Sequence, residues 1–268
     1  MYIDNFTVGS DPELFIINEK TGKVVSSIGL IPGVKGEPWV GSDMPSGFGL
    51  ETDNILAEFN IPPVTDCDNF VNNIQYMKDY ITKYVKAKNP DLGIRCIASQ
   101  VVDASQLQSE EAQLFGCDPD FNAYTLSENP KPEGTSTNLR SAGFHVHLGY
   151  PHNNQDVSVE LVRYLDCYLG VPSIVEDPDK KRRSLYGKAG AFRLQDWGVE
   201  YRSLSSYMMR NEESLRRVWK GIQRAIYAFN EGYNRPAESD VVSCINKSNV
   251  SLAKELICEY NLEFNIDD

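Results

Sequence analysis

The 268-residue chain is 41% hydrophobic and 24% charged, which supplies enough apolar material for one cored globular unit. Its formal net charge of −12 argues against a general nucleic-acid or anionic-membrane surface, because such partners require a basic footprint. No run of about 18 apolar residues spans a bilayer, no apolar signal stretch opens the chain, and six cysteines without a C-x-x-C read as reduced thiols of a cytoplasmic protein.

In chain order, the first candidate strand carries Asp11 and Glu13 in Gly-Ser-Asp-Pro-Glu-Leu-Phe-Ile-Ile. Glycines and prolines from Gly22 to Gly49 then mark turns and short strands, and a second polar pair, Glu58 and Asn60, sits in Ile-Leu-Ala-Glu-Phe-Asn-Ile. Phe70, Val71, Ile74, Met77, Ile81, Tyr84 and Val85 recur at helical spacing between a Thr65 or Asp66 cap and the stop at Asn89-Pro90. Gly93 to Val102 reads as one strand. The polar stretch from about 104 to 140 reads as an irregular insertion.

All three histidines lie between Gly143 and His152. In a strand, His145 and His147 would point one way while Phe144, Val146 and Leu148 point the other, so one face packs and the other is free for chemistry. His152, in Pro-His-Asn-Asn, reads as a turn residue. Asp156 is a candidate cap for a helix ending near Gly170-Val171-Pro172. One basic stretch follows, with Lys180, Lys181, Arg182, Arg183, Lys188 and Arg193, and then a fourth polar pair, Glu200 and Arg202, in Gly-Val-Glu-Tyr-Arg-Ser-Leu. The basic stretch is a phosphate site or simply a solvated loop. A helix after Asn211 has a core stripe of Leu215, Val218, Trp219, Ile222, Ile226 and Phe229, and a short last helix covers about Ser251 to Glu259.

Any one of the four polar pairs could be an ordinary half-solvated strand. Together on one sheet they would gather carboxylates, imidazole and guanidinium into one concavity, a mixture suited to a divalent cation and a phosphate. Irregularly alternating strands and long helices indicate an α+β fold with an antiparallel or mixed curved sheet and helices on its outer face. Neither a G-x-G-x-x-G nor a Walker-type glycine loop is present. Trp39, Tyr186 and Trp197 are read as packed aromatics outside the site.

The order of these motifs resembles the catalytic domain of glutamine synthetase. Asp53-Asn54 followed by Glu58-Phe59-Asn60-Ile61-Pro62-Pro63 looks like the phage-type branch of the wider carboxylate-amine (COOH-NH2) amidoligase superfamily. The resemblance spans positions 9 to about 230. It implies a single catalytic domain over 1–268, with the insertion near 104–140 and a C-terminal helical extension near 235–268. It also implies ATP with Mg²⁺ or Mn²⁺, an acyl phosphate intermediate, and a small-molecule, peptide or protein substrate bearing a carboxylate and an amine. Carried over by motif, Asp11, Glu13, Asp53, Glu58, His145 and Glu200 are metal ligands, with Glu51 a lesser companion. Asp11 stands where the family has a glutamate. His147 faces the nucleotide phosphates, Arg202 contacts phosphate or the transferring group, and Arg183 (or Arg182), Lys188 and Arg193 neutralise phosphate. If the gene is phage-borne, the protein would work in the host cytoplasm. Three other classes fit parts of the pattern: a guanidino-kinase-type phosphotransferase, a cupin-like iron oxygenase that would need His152 as a further ligand, and a non-catalytic binding protein.

Overall fold

A computed structural model describes residues 2–113, 120–130 and 138–262. Its strands are β1 (Thr7–Ser10), β2 (Glu13–Asn18), β3 (Val24–Val25), β4 (Gly49–Asp53), β5 (Leu56–Val64), β6 (Leu92–Arg95), β7 (Ser99–Val101), β8 (Phe121–Asn122), β9 (Leu139–Ser141), β10 (Val146–Gly149), β11 (Ala191–Gln195) and β12 (Gly198–Tyr201). The α-helices are α1 (Cys67–Lys88), α2 (Glu110–Gln113), α3 (Gln155–Leu165), α4 (Val171–Glu176), α5 (Glu212–Glu231), α6 (Glu238–Asn246) and α7 (Val250–Tyr260). Ten strands form one sheet in the order β3-β2-β5-β1-β10-β12-β11-β8, with β4 also on β5 and β6 on β2, while β7 and β9 form a separate ribbon. Every pairing is antiparallel. Among the described residues no helix is long and apolar enough to cross a membrane.

Around β10 the sheet has one apolar and one polar face, as the alternation predicts, whereas β2 packs Leu14 and Ile16 into one apolar cluster and Phe15 and Ile17 into another. Phe144, Val146 and Leu148 are fully buried, and Phe144 stacks on Phe70 of α1, which in turn meets Trp219 of α5. Each such side chain contributes roughly 1.5–3 kcal/mol of burial, and a one-residue slip would exchange them for the histidines, so the register is firmly set. α1 and α5 carry the expected caps: Asp66 accepts from the Asn69 N–H at 2.9 Å, Asn211 accepts from the Ser214 N–H at 2.9 Å, and Gly232 ends α5 at φ 64°.

Several local expectations are corrected. Asp11 and Glu13 do not share a strand. The Asp11-Pro12 pair bends the chain between β1 and β2, because Pro12 has no N–H to continue the ladder. Gly93 to Val102 is two strands in two sheets, β6 on β2 and β7 on β9. The 104–140 stretch is partly regular: it supplies α2, the sheet-edge strand β8 and β9. Asn154 rather than Asp156 caps α3, accepting from the Val157 N–H at 3.0 Å. The helix does not stop at Pro172: a π turn over Asp166–Gly170 carries it without a break into α4, and Pro172 sits directly after that wider turn. α6 and α7 both lie within the helical extension expected near 235–268, where periodicity marked the last helix alone. His152 is a turn residue, at φ 58°.

The π turn places a carboxylate behind the site. Asp166, fully buried, accepts from the Tyr201 hydroxyl at 2.7 Å, the Gly190 N–H at 2.6 Å and the Ser203 hydroxyl at 3.3 Å, tying β12 to the loop before β11. Burial pushes its carboxyl up to about 6, against those hydrogen bonds. A raised folded-state value means that its stabilising contribution is full below the unfolded carboxylate range and lost as pH rises through about 6. Urea titrations at acidic and neutral pH should therefore show Asp166→Asn with a flatter pH dependence than the wild type, and equal slopes would contradict this.

Candidate active site

Three short segments bring the polar pairs together. In β10 and β12, His147 lies directly across from Glu200, and Arg193 of β11 lies across from Glu200 on its other side. Gly9 of β1 faces His147, and the bend after Ser10 then swings Asp11 in over both histidines. One Asp11 carboxylate oxygen lies 3.1 Å from His145 Nδ1 and 3.0 Å from His147 Nε2. Farther along the sheet, Glu13, Glu58 and Glu51 form a row of cross-strand carboxylates on β2, β5 and β4.

The ligating atoms fall into two triads, Asp11 with His147 and Glu200, and Glu13 with Asp53 and Glu58, each within 4.8 Å. His147, expected to face the phosphates, thus groups with the carboxylates, and His145 lies between them, 3.7 Å from Glu200. Glu51 turns away to accept the Gly36 N–H at 3.0 Å, and Asp53 is held by Lys35 at 2.9 Å.

Electrostatics differ between the triads. Burial opposes ionisation of Asp11, but His147 and then His145 outweigh it and hold the carboxyl well below its usual range. Burial likewise works against the imidazolium of His147, and Asp11 outweighs it and raises the pKa. Glu200 is lowered because Arg202, hydrogen-bonded to it, overcomes burial. In the second triad Lys35 holds Asp53 and His145 favours ionised Glu13, but burial and repulsion prevail at Glu58. Burial first, and then Asp11, Glu13, Asp53 and Glu51, push Glu58 well above the carboxylate range, and burial raises Glu13 too. Hard oxygen donors under mutual repulsion in a buried pocket are the donor set a divalent cation would relieve, so the residues fit Mg²⁺ or Mn²⁺. Glu58→Gln should stabilise the metal-free protein by about 1 kcal/mol, the scale of many stability-function trade-offs, and should reduce stabilisation by added Mg²⁺, since Asp11, His147 and Glu200 remain as a second donor set. Thermal unfolding with and without Mg²⁺ checks both, and an unchanged Mg²⁺ response would contradict the assignment.

Beside these acids is a pocket lined among others by Glu13, Asp53, Asp120, Arg140, Arg182 and Arg202. Arg202 reaches Glu200, lies 3.4 Å from His145 Nδ1, and approaches Asp120 at 4.0 Å. Arg182 is 2% exposed, its Nη1 donates to the Ser203 carbonyl at 3.1 Å, and its buried Nε has no acceptor. Burial, with Arg183 adding to it, lowers its pKa to about 10. Gly187, at φ 71°, makes room for it, since a Cβ there would stand 1.5 Å from Arg182 Nη1.

The basic stretch is therefore not a solvated loop at Arg182 and Arg183, although Lys180 and Lys181 are exposed. Arg182, rather than Arg183, lines the pocket; Arg183 points to the Ser173 hydroxyl at 3.3 Å. Arg193 approaches Glu200 at 3.8 Å, and Lys188 is half-buried outside the pocket lining. Sequence reasoning missed Arg140 and Asp120, which stand in the polar stretch without a motif, and it set aside Tyr186, which lines the pocket. Trp197 has its ring centroid 5.2 Å from that of His147.

Residues 135–221, about a third of the chain, match the family model described as phage phiEco32-like COOH-NH2 ligase, type 2. The match contains His145, His147, Arg182, Arg193, Glu200 and Arg202. Over this segment the chain is similar to the phage-type carboxylate-amine ligases. The amidoligase resemblance drawn from the motif order thus holds over the H-x-H strand, the basic stretch and the Glu200 strand. No curated protein matches the chain.

Proposed function

We propose that the protein is an ATP-dependent carboxylate-amine ligase, built as a single catalytic domain that carries the 104–140 insertion and a C-terminal helical extension. The observation that carries this reading is the pair of acidic triads beside a pocket into which buried arginines project. A carboxylate and a triphosphate repel each other, and joining them needs cationic groups fixed in advance. Divalent ions held by Asp11, His147 and Glu200, and by Glu13, Asp53 and Glu58, with His145 between the two sets, would offset that repulsion and polarise the γ-phosphoryl group.

The chain's own residues supply the rest. Arg182, under-satisfied and buried, is suited to a phosphate oxygen, and takes the role the sequence resemblance gave to Arg183. Arg202, fixed by Glu200, and Arg193 beside it hold positive charge where the phosphoryl group moves, with Lys188 a more distant contributor. A substrate carboxylate oxygen bonds to the γ-phosphorus as the bond to ADP breaks. The amine nitrogen then bonds to the acyl carbon, phosphate leaves, and the amine gives up a proton. The acids around the pocket favour the ammonium form, so deprotonation precedes attack.

The test is ADP release in the presence of Mg²⁺ or Mn²⁺ with paired acids and amines. Release that needs both substrates, with an amide seen by mass spectrometry, is the expected result. A phosphorylated product that accumulates without amide would overturn the ligase reading in favour of a phosphotransferase.

A further inference from the structure

A second groove runs beside the ribbon of β7 and β9. It is lined by Ser99, Gln100 and Val101 of β7, by Leu139 of β9, and by the loop Pro178 to Lys181. Both walls continue into the candidate active-site pocket. Two residues after Leu139, Ser141 lines that pocket, and directly after Lys181, Arg182 lines it. An elongated molecule lying in the groove would thus have its end directed toward Arg182.

The lining indicates what that molecule is. Ser99 pairs with Ser141 and Val101 with Leu139, whereas the Val102 N–H donates to the Asn138 carbonyl and the Ala142 N–H to the Ala98 carbonyl. Antiparallel ladders alternate, so the ladder bonds run through residues 98, 100 and 102, and the N–H groups of Ser99 and Val101 point away from β9. Neither has an acceptor among the described residues. Val101 is 57% exposed at this open edge, an arrangement that invites another strand. On the facing loop the Asp179 carboxylate is taken up by the Ser99 hydroxyl at 2.5 Å and by the N–H groups of Lys181 and Arg182, while the Lys180 and Lys181 side chains are exposed and pair with no carboxylate among the described residues, in a chain whose net charge is −12.

We propose that this groove docks an extended, acidic peptide segment along the open edge of β7, so that the substrate of the ligase site is a peptide or protein tail rather than a free amino acid. Main-chain groups of the segment pair with Ser99 and Val101, one of its apolar side chains covers Val101, and its carboxylates meet Lys180 and Lys181. The choice of substrate rests on the ligase reading, but the docking itself does not.

The probe is a fluorescein-labelled peptide of alternating Glu and Val, read by anisotropy on the full chain. It should bind more tightly than the Lys-Val counterpart, and K180E/K181E should weaken it by roughly ten-fold, as reversing charges at a rim does. N-methylation at alternate residues of the peptide should remove binding, because the edge hydrogen bonds are lost. Calorimetric titration of Mg²⁺-ATP into the same double variant should match the wild type, which also confirms folding. Equal binding of the acidic and basic peptides, insensitivity to N-methylation, or no peptide binding would overturn the proposal. Peptide binding that behaves as expected in a protein that binds no nucleotide would instead sink the ligase reading and leave the docking groove standing.

Discussion

Arg202→Ala should cost the fold about 3–5 kcal/mol, the usual result of removing one partner from a buried ion pair. Glu200 is 2% exposed and Arg202 5% exposed, so the carboxylate left behind has no water to turn to. Arg193 is the nearest other cation, at 3.8 Å, too far for a charge-assisted hydrogen bond to replace the one lost. His145, 3.7 Å from Glu200 and already engaged with Asp11, is no better placed. Urea denaturation of Arg202→Ala, of Glu200→Gln and of the double variant gives the coupling. The double variant should recover part of the loss, and additive losses would mean that the pair is not a unit.

Asp11→Asn should weaken Mn²⁺ binding by more than about 100-fold, beyond the 10–100-fold typical of losing an outer-shell partner. The same substitution has a metal-free signature. In the wild type Asp11 is depressed by His147 and His145, so its stabilising contribution is present above the unfolded carboxylate range and is lost as pH falls through its folded value. His147 is raised by Asp11, so its share is present below the unfolded imidazole range and lost as pH rises through its folded value. The stability gap between the wild type and Asp11→Asn should therefore be widest at mildly acidic pH and narrow toward alkaline pH. His147, followed by NMR, should titrate at lower pH in the variant. An unmoved His147 would show that Asp11 is not its partner in solution.

How much of this was legible depended on the kind of signal. Period-two alternation around Phe144 to Leu148 placed both histidines on the polar face, because burial leaves the strand no alternative register. Helical spacing and caps located α1 and α5 for similar reasons. The reading failed where a tertiary contact or a single backbone feature decides the outcome. Pro172 looked like a stop but lies within a helix that continues past it, directly after a π turn over Asp166–Gly170. The bend at Pro12 broke one expected strand into two, and that same bend is what carries Asp11 onto His145 and His147. Within the basic run, nothing in Lys-Lys-Arg-Arg distinguishes Arg182, at the pocket, from Arg183, at Ser173. Only the cleared space at Gly187 and the Ser203 carbonyl do so. Arg140 was silent for a different reason. Its guanidinium is recruited by the α2 carbonyl of Ala112 at 2.8 Å and by Asn54 at 3.1 Å, long-range partners that no local pattern records.

The two triads and the buried arginines are proposed here to act together as one metal-dependent nucleotide site. Calorimetric titration of ATP, or a non-hydrolysable analogue, with and without Mg²⁺ or Mn²⁺ tests it most directly, repeated for Glu13→Ala and Glu200→Ala with folding checked by circular dichroism. Binding should require the metal and be lost in both folded variants. Absence of nucleotide binding by the wild type under either metal would contradict it.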